Sequence, residues 1–381
     1  MSQGPGETLA LIRSGEATTR GELLEATGLS RVTVARRLEK LLAARIVRER
    51  GTGSATGGRR AAVFVFEPDV VVLAAALDVV GGDVAVMGPH GEVLARLALD
   101  AAVDEGPERT LERVGDAWMQ ALESAGIAQA RVIAAAISLP GPTDPLAHRL
   151  YDPPIMPGWS GWPIVDTLRE TFDVPVFVEN DADAMAFGEA KGVDPHHTLV
   201  LVKASAYIGA GLVIEGRIFR GADGGAGDIG HVKVGGDALC RCGRHGCLAA
   251  EASGAAVMAR LAEQGVALAD VSQIHDFVER GDLRATTEQR RAAELIGKVL
   301  ATVVGVVNPS HLVISGSMVS PALIATIRSV VYAASLPRAT RHLEIRAGGL
   351  GGDAALVGLT RVAIDEMYSA DAVNERLGTD A

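Results

Sequence analysis

Residues Gly227–Glu251 read GDIGHVKVGGDALCRCGRHGCLAAE, and the rest of the chain is organised around them. All three cysteines of the 381-residue chain fall here, at Cys240, Cys242 and Cys247, with His231 just upstream. Three thiolates and one imidazole are the four-ligand set that tetrahedral zinc prefers. Cys-x-Cys, then four residues, then Cys needs a tight knuckle, and Gly243 and Gly246 supply the permissive backbone. A closed Cys3His set leaves no position open to water, so the zinc predicted here is structural, not catalytic. Three inert, buried thiols are the alternative reading. His245, inside the knuckle, is the second choice of imidazole, although its neighbours Arg244 and Gly246 read as a solvated turn.

The length predicts two or three domains. Apolar residues make up 48% and charged residues 22%, the balance of a globular chain. Aromatics are scarce at 4%, while Ala, Val, Leu and Gly abound, which favours close-packed helices and buried parallel strands. No apolar run reaches membrane-spanning length; Lys298 interrupts even Leu295–Val307. The start MSQGPGETLA lacks a basic segment followed by an apolar core, so no secretory signal is expected. Cysteines in a metal-like pattern argue for the reducing cytoplasm over a disulfide framework. The net charge of −11 is unevenly spread: Met1–Phe66 carries eleven Lys+Arg against six Asp+Glu, or +5, which leaves −16 for the remainder. A basic head on an acidic body marks a boundary and points to a polyanionic partner for the head alone.

Within that head, residues 1–68, a first helix ends near Gly15. Thr19-Arg20-Gly21-Glu22 is a capping box that opens a second. After the turn Thr27-Gly28-Leu29, Ser30 caps a third helix from Arg31 to about Ala44. Val34, Leu38, Leu41 and Leu42 face a core, and Arg31, Thr33, Arg37 and Lys40, flanked by Arg36, make the other face. Two strands follow, 46–50 and 63–66, joined by the loop GTGSATGGRRAA. These are the parts of a winged helix-turn-helix. Ser30, Arg31, Thr33, Arg36, Arg37 and Lys40 are the expected contacts to double-stranded DNA, by phosphate neutralisation or guanine readout. Arg59 and Arg60 of the wing loop would reach the minor groove or the backbone. A solvated basic face is the alternative.

Beyond Pro68 the chain alternates buried strands and helices. Strands are expected over 70–77, 83–87, 92–99, 131–138, 176–178, 199–203, 211–215, 217–220 and 312–314. Helices are expected over 110–125, 182–191, 292–307, 323–333 and 355–371. A recurring strand-strand-strand-helix-strand order predicts a duplicated α/β body with a cleft between two lobes.

The knuckle resembles the signature of the ROK family (repressors, open reading frames and sugar kinases), Glu-x-Gly-His followed by Cys-x-Cys-Gly-x-x-Gly-Cys-Leu-Glu. Asp228-Ile229-Gly230-His231 and Cys240 to Ala249 match it, with Asp228 and Ala249 where the family has Glu. Gly28-Leu29-Ser30 and Gly57-Gly58-Arg59 resemble the winged head of its repressor branch. The resemblance implies an actin-like, ribonuclease-H-like two-lobed body: lobe 1 over 69–190, completed by the C-terminal helix within 355–381, and lobe 2 over 191–354.

A kinase of this family needs Gly-rich phosphate loops, a carboxylate base and magnesium. The first loop, Asp-x-Gly-Gly-Thr, is here Asp78-Val79-Val80-Gly81-Gly82, followed by Asp83, which is expected to repel phosphate. The second, Gly-Thr-Gly-x-Gly-Gly-Gly, is Ser205-Ala206-Tyr207-Ile208-Gly209-Ala210-Gly211. The third, Ile314-Ser315-Gly316-Ser317, keeps one Gly of two. Glu179-Asn180-Asp181-Ala182-Asp183 follows the family's Glu-Asn-Asp-Ala-Asn, which places Asp181 on the vestigial base and Asn180 on a sugar-hydroxyl partner; an Asn-Asp helix cap is the plainer reading. Pro140, Gly141, Asn180, Asp181, Asp228 and His231 are the expected ligand contacts. Glu251 is not expected to replace the carboxylate missing at Ala249.

The sequence therefore predicts a DNA-binding repressor whose ROK-type body senses a sugar or sugar derivative without phosphorylating it. Palindromic operators favour a homodimer or a dimer of dimers. A hexose kinase with an added head, and a regulator whose body only dimerises, are the competing functions.

Overall fold

A computed structural model describes residues 4–52, 62–100, 103–144 and 147–379. The head holds α1 (Pro5–Ser14), α2 (Arg20–Thr27), α3 (Arg31–Ala43) and the antiparallel pair β1 (Val47–Thr52) and β2 (Ala62–Phe66). Local chemistry sets these ends. Glu22 and Thr19 cap α2 reciprocally, Gly28 turns the chain at φ 66°, and the Ser30 hydroxyl accepts from the Thr33 amide. Arg59 and Arg60 lie outside the described residues.

The expected basic face of α3 needs one correction. Arg37 is buried at 2% exposure and does not belong to an outward face. It falls three residues after Val34 and four before Leu41, inside the stripe that α3 turns to the core. Lys40 is half-buried and donates to the Gly378 carbonyl at 2.9 Å in an exposed contact. Arg31 and Arg36 remain exposed.

The first lobe continues with β3 (Val71–Asp78), β4 (Gly81–Met87), β5 (Val93–Leu99), α4 (Pro107–Ala125) and β6 (Val132–Leu139). The short pair β7 (Thr143–Asp144) and β8 (Arg149–Leu150), α5 (Ile164–Arg169), β9 (Val176–Asn180) and α6 (Asp181–Glu189) complete it. Its sheet runs β5-β4-β3-β6-β9, antiparallel across the first three strands and parallel beyond.

The second lobe repeats the plan. It contains β10 (Leu199–Ala204), β11 (Ile208–Ile214), β12 (Arg217–Ile218), α7 (Leu248–Ala252), α8 (Gly254–Glu263) and α9 (Gln273–Glu279). Then come α10 (Leu283–Val307), β13 (His311–Ser315), α11 (Pro321–Ala334), α12 (Pro337–Thr340) and β14 (Glu344–Ala347). Its sheet, β12-β11-β10-β13-β14, has the same order and senses as the first.

Two final helices, α13 (Ala354–Met367) and α14 (Ala370–Leu377), return to the first lobe and the head. The expected single C-terminal helix is broken at Tyr368, and Ser369 caps the second piece. Helix α13 meets α6 so closely that a Cβ at Gly358 would overlap the Ala184 carbonyl. Helix α14 grips the head. The Asn374 amide oxygen accepts from Gly6 N at 2.8 Å, its nitrogen donates to Glu7 at 3.0 Å, and Arg13 pairs with Asp365. Head and first lobe thus share one apolar core, from Leu9 and Leu38 through Phe64 to Leu356 and Ile364. Among the described residues no helix is long and apolar enough to cross a membrane.

Candidate functional site

A cavity of about 270 Å³ opens between the lobes. From the first lobe it is lined by Pro140, Gly141, Asn180 and Asp181, and from the second by Asp228 and His231, so the six expected ligand contacts share one cleft. Asn180 ends β9 and caps α6: its oxygen accepts from Ala182 N and Asp183 N, and its nitrogen donates to the Gly141 carbonyl. The cap and the cleft position are the same residue. Asp228 stands at the mouth, where partial burial raises its carboxyl pKa against the opposition of His231.

Beyond the six expected contacts, four lining residues bear on the chemistry of the cleft. Lys203 is the most informative. It ends the run Leu-Val-Leu-Val-Lys on β10, buried at 7% exposure. Its ammonium lies 2.5 Å from Asp181 and 3.2 Å from Asp78. Burial opposes its charge, but the two carboxylates outweigh burial and raise its pKa. A lysine inside an otherwise apolar strand was the signal, because a buried ammonium needs a partner. Asp183 is the second. Burial, and then Glu179, push its carboxyl up to about 8, while Arg220 opposes them. Its Oδ1 is buried without a hydrogen-bond partner, consistent with a neutral acid. Tyr207 and Arg241 are the others; the guanidinium sits 5.2 Å from the ring centroid, joining the knuckle to the β10–β11 turn.

That turn is closed on itself. Ser205 N donates to the Tyr207 carbonyl, and the carbonyls of Ser205 and Ala206 accept from Gly254 N and Ala255 N at the start of α8. The Ser205 hydroxyl accepts from Ser317 N at 3.1 Å, so it fills the space over Gly316. At the first loop, Asp83 is turned away from the cleft and paired with Arg96 at 2.6 Å, which in turn holds Asp353. The expected repulsion by Asp83 therefore has no place in the cleft: strand alternation sends its side chain to the opposite face.

The knuckle borders the same cavity. Ligand atoms of His231, Cys240, Cys242 and Cys247 all lie within 4.8 Å of one another. The Cys242–Cys247 sulfurs are 3.8 Å apart, and Cys240 Sγ is 3.6 Å from His231 Nδ1. Tetrahedral zinc at usual bond lengths requires about 3.8 Å between sulfurs and about 3.6 Å between sulfur and nitrogen. The donor set and spacing fit a metal ion. The Arg244 backbone amide draws the Cys242 thiol down to about 6, while burial pushes Cys247 up to about 11. His245 is outside the set; its Nδ1 meets the Asp237 carbonyl at 2.7 Å. Glu251 is buried beneath the knuckle, where it accepts from Ala238 N and pairs with Arg291, so it braces the loop and does not reach the cleft.

The ROK family profile matches residues 74–366. The xylose repressor of Bacillus subtilis is 26% identical over 361 residues, covering 91% of each chain. The N-acetylmannosamine kinase of Escherichia fergusonii is 30% identical over 286 residues, covering 74% of this chain and 94% of that protein. A crystal structure of a ROK family transcriptional regulator, a homologue of the E. coli MLC protein, superposes with a TM-score of 0.81 at 22% identity and covers 98% of both chains. That likeness shows a shared fold along the whole length, head included.

Proposed function

The chain belongs to the ROK family, and on that premise we propose that it is a transcriptional repressor whose inter-lobe cleft takes a sugar or sugar derivative. The observation that carries this reading is the grip of α14 on α1. The cleft residue Asp181 starts α6, α6 lies against α13, and α13 leads to α14, so one packed series runs from the cleft to the head. A ligand that favours one lobe arrangement would then change how the head is presented to DNA. The full-length similarity to a repressor supports the same reading, since the kinase relative aligns with only three-quarters of the chain.

In this reading residues 1–68 bind operator DNA through Ser30, Arg31, Thr33 and Arg36, with Arg59 and Arg60 added from the wing. Lys40 borders that face. Residues 69–190 with the C-terminal helices, and 191–354, form the two lobes. A structural zinc on His231, Cys240, Cys242 and Cys247 would hold the loop that carries Asp228 in place. The protein works in the cytoplasm as a homodimer or a dimer of dimers. In this reading it is not a kinase: Ser205 and Tyr207 stand where the family's second phosphate loop has Gly, and Lys203 and Tyr207 line the cleft beside Asp181.

Fluorescence anisotropy on DNA from upstream of its own gene, at two salt concentrations and with a panel of sugars and sugar phosphates, tests the proposal. Tight, salt-sensitive binding released by one sugar is expected, with Arg31→Ala weakening it about tenfold or more. Binding that no compound alters would leave a regulator whose body only dimerises. Hexose phosphate formation lost on Asp181→Ala would establish the kinase instead.

A further inference from the structure

We propose that Lys203 is the chain's own replacement for a divalent cation, held between Asp78 and Asp181 at the floor of the cleft. The proposal goes beyond the regulatory reading and rests on it only in treating the cleft as a ligand site.

The carboxylates come from the first lobe, Asp78 at the end of β3 and Asp181 at the start of α6, and the ammonium comes from the second. Both carboxylate oxygens lie within bonding reach of one nitrogen, 3.2 and 2.5 Å away. Two carboxylates converging on one point repel unless a cation lies between them, and a pair of this kind is how proteins hold magnesium beside a phosphate. A magnesium ion does not fit here, because the Lys203 ammonium occupies the point between the two carboxylates. Lysine suits the position as a compact charge with three donors. Two of the three are committed to Asp78 and Asp181, and among the described residues the third has no acceptor.

Two consequences follow. The lobes are tied across the cleft without nucleotide, and Lys203 competes with any ligand hydroxyl for the Asp181 oxygen. Ligand binding at this cleft therefore requires neither a nucleotide nor a divalent metal. The bland alternative is an ordinary buried ion pair, which would stabilise the fold but confer no latent affinity for metal.

Lys203→Met separates the two. The zinc-loaded full-length protein is melted with and without millimolar Mn2+, and Mn2+ binding is followed by electron paramagnetic resonance. The wild type is expected to ignore Mn2+. Lys203→Met is expected to melt several degrees lower, to recover at least half of that loss in Mn2+, and to bind about one more Mn2+ per chain than the wild type. Adding Asp78→Asn should abolish the recovery. Because removing one partner of a buried pair is costly, Lys203→Gln, which keeps an amide donor, repeats the test in a milder form. Recovery of folding only in the presence of Mn2+ supports the proposal. Folded variants that respond to Mn2+ no more than the wild type overturn it. So do variants that fail to fold with or without the metal, or a response that survives Asp78→Asn. The readout involves neither DNA nor sugar, so its failure would leave the repressor reading standing.

Discussion

The two five-stranded sheets share one strand order, yet their leading hairpins differ in kind. In the first lobe, β3 turns into β4 through Val79-Val80 alone, with Asp78 opposite Gly81 and Val80 left 77% exposed. In the second, β10 turns into β11 through Ser205-Ala206-Tyr207, and this turn is tied to α8, to Ser317 and, through Arg241, to the cysteine knuckle. The first lobe has no cysteine or histidine cluster among its described residues. Duplication thus brings two hairpins face to face, and their side chains decide what lies between them. The first lobe contributes carboxylates, and the second sets an ammonium and a ring beside them.

Removing the knuckle should have the largest effect on this contrast. Cys247→Ser is expected to take bound zinc from about one per chain to none by elemental analysis, and to lower Tm by about 5 °C or more. Full retention of zinc would place the metal elsewhere. Gly211→Val comes next. A Cβ at this β11 position would overlap the Ala182 carbonyl of α6, so a loss of about 2–3 kcal/mol in urea unfolding is expected. A neutral result would mean that the second lobe's hairpin strand is free to move off α6.

Asp183 sharpens the contrast through pH. Its carboxyl is held near 8 in the folded chain against an ordinary 3.8. Between those values the folded state keeps a proton that the unfolded state has released, so this group's contribution to stability falls as pH rises from about 4 to about 8. Asp183→Asn removes that slope. Its free energy of unfolding in urea should match the wild type near pH 4 and pull ahead by at most about 1.4 kcal/mol per pH unit until about pH 8. A constant difference between the two proteins would show that Asp183 ionises normally. Ser205→Gly is the mildest change, losing the acceptor for Ser317 N and costing about 1 kcal/mol. A larger loss would mean that the hydroxyl organises the whole turn.

Much of the fold was legible because its signals are local. The Thr19–Glu22 box, the Ser30 cap and the buried strand runs each lie within a few residues, and the duplicated strand order followed from their succession. The knuckle was legible because its four ligands sit within seventeen residues of sequence. Short or Ala-rich elements were not anticipated: α7 to α9 and β14 have too few apolar repeats to stand out, and packing against α10 and β13 gives them their form.

What only the tertiary structure decided was the fate of charges. Arg37 looked outward until α3 was rotated against its neighbours, and its place in the buried stripe depended on which apolar residues won the core. Lys203 looked like the end of a strand. Its partner Asp78 is 125 residues away. The reason is range: a cap or a turn is satisfied by atoms two to four positions along the chain, so residue order specifies it. A buried charge is satisfied by whatever the fold brings to it, and no local pattern names that partner.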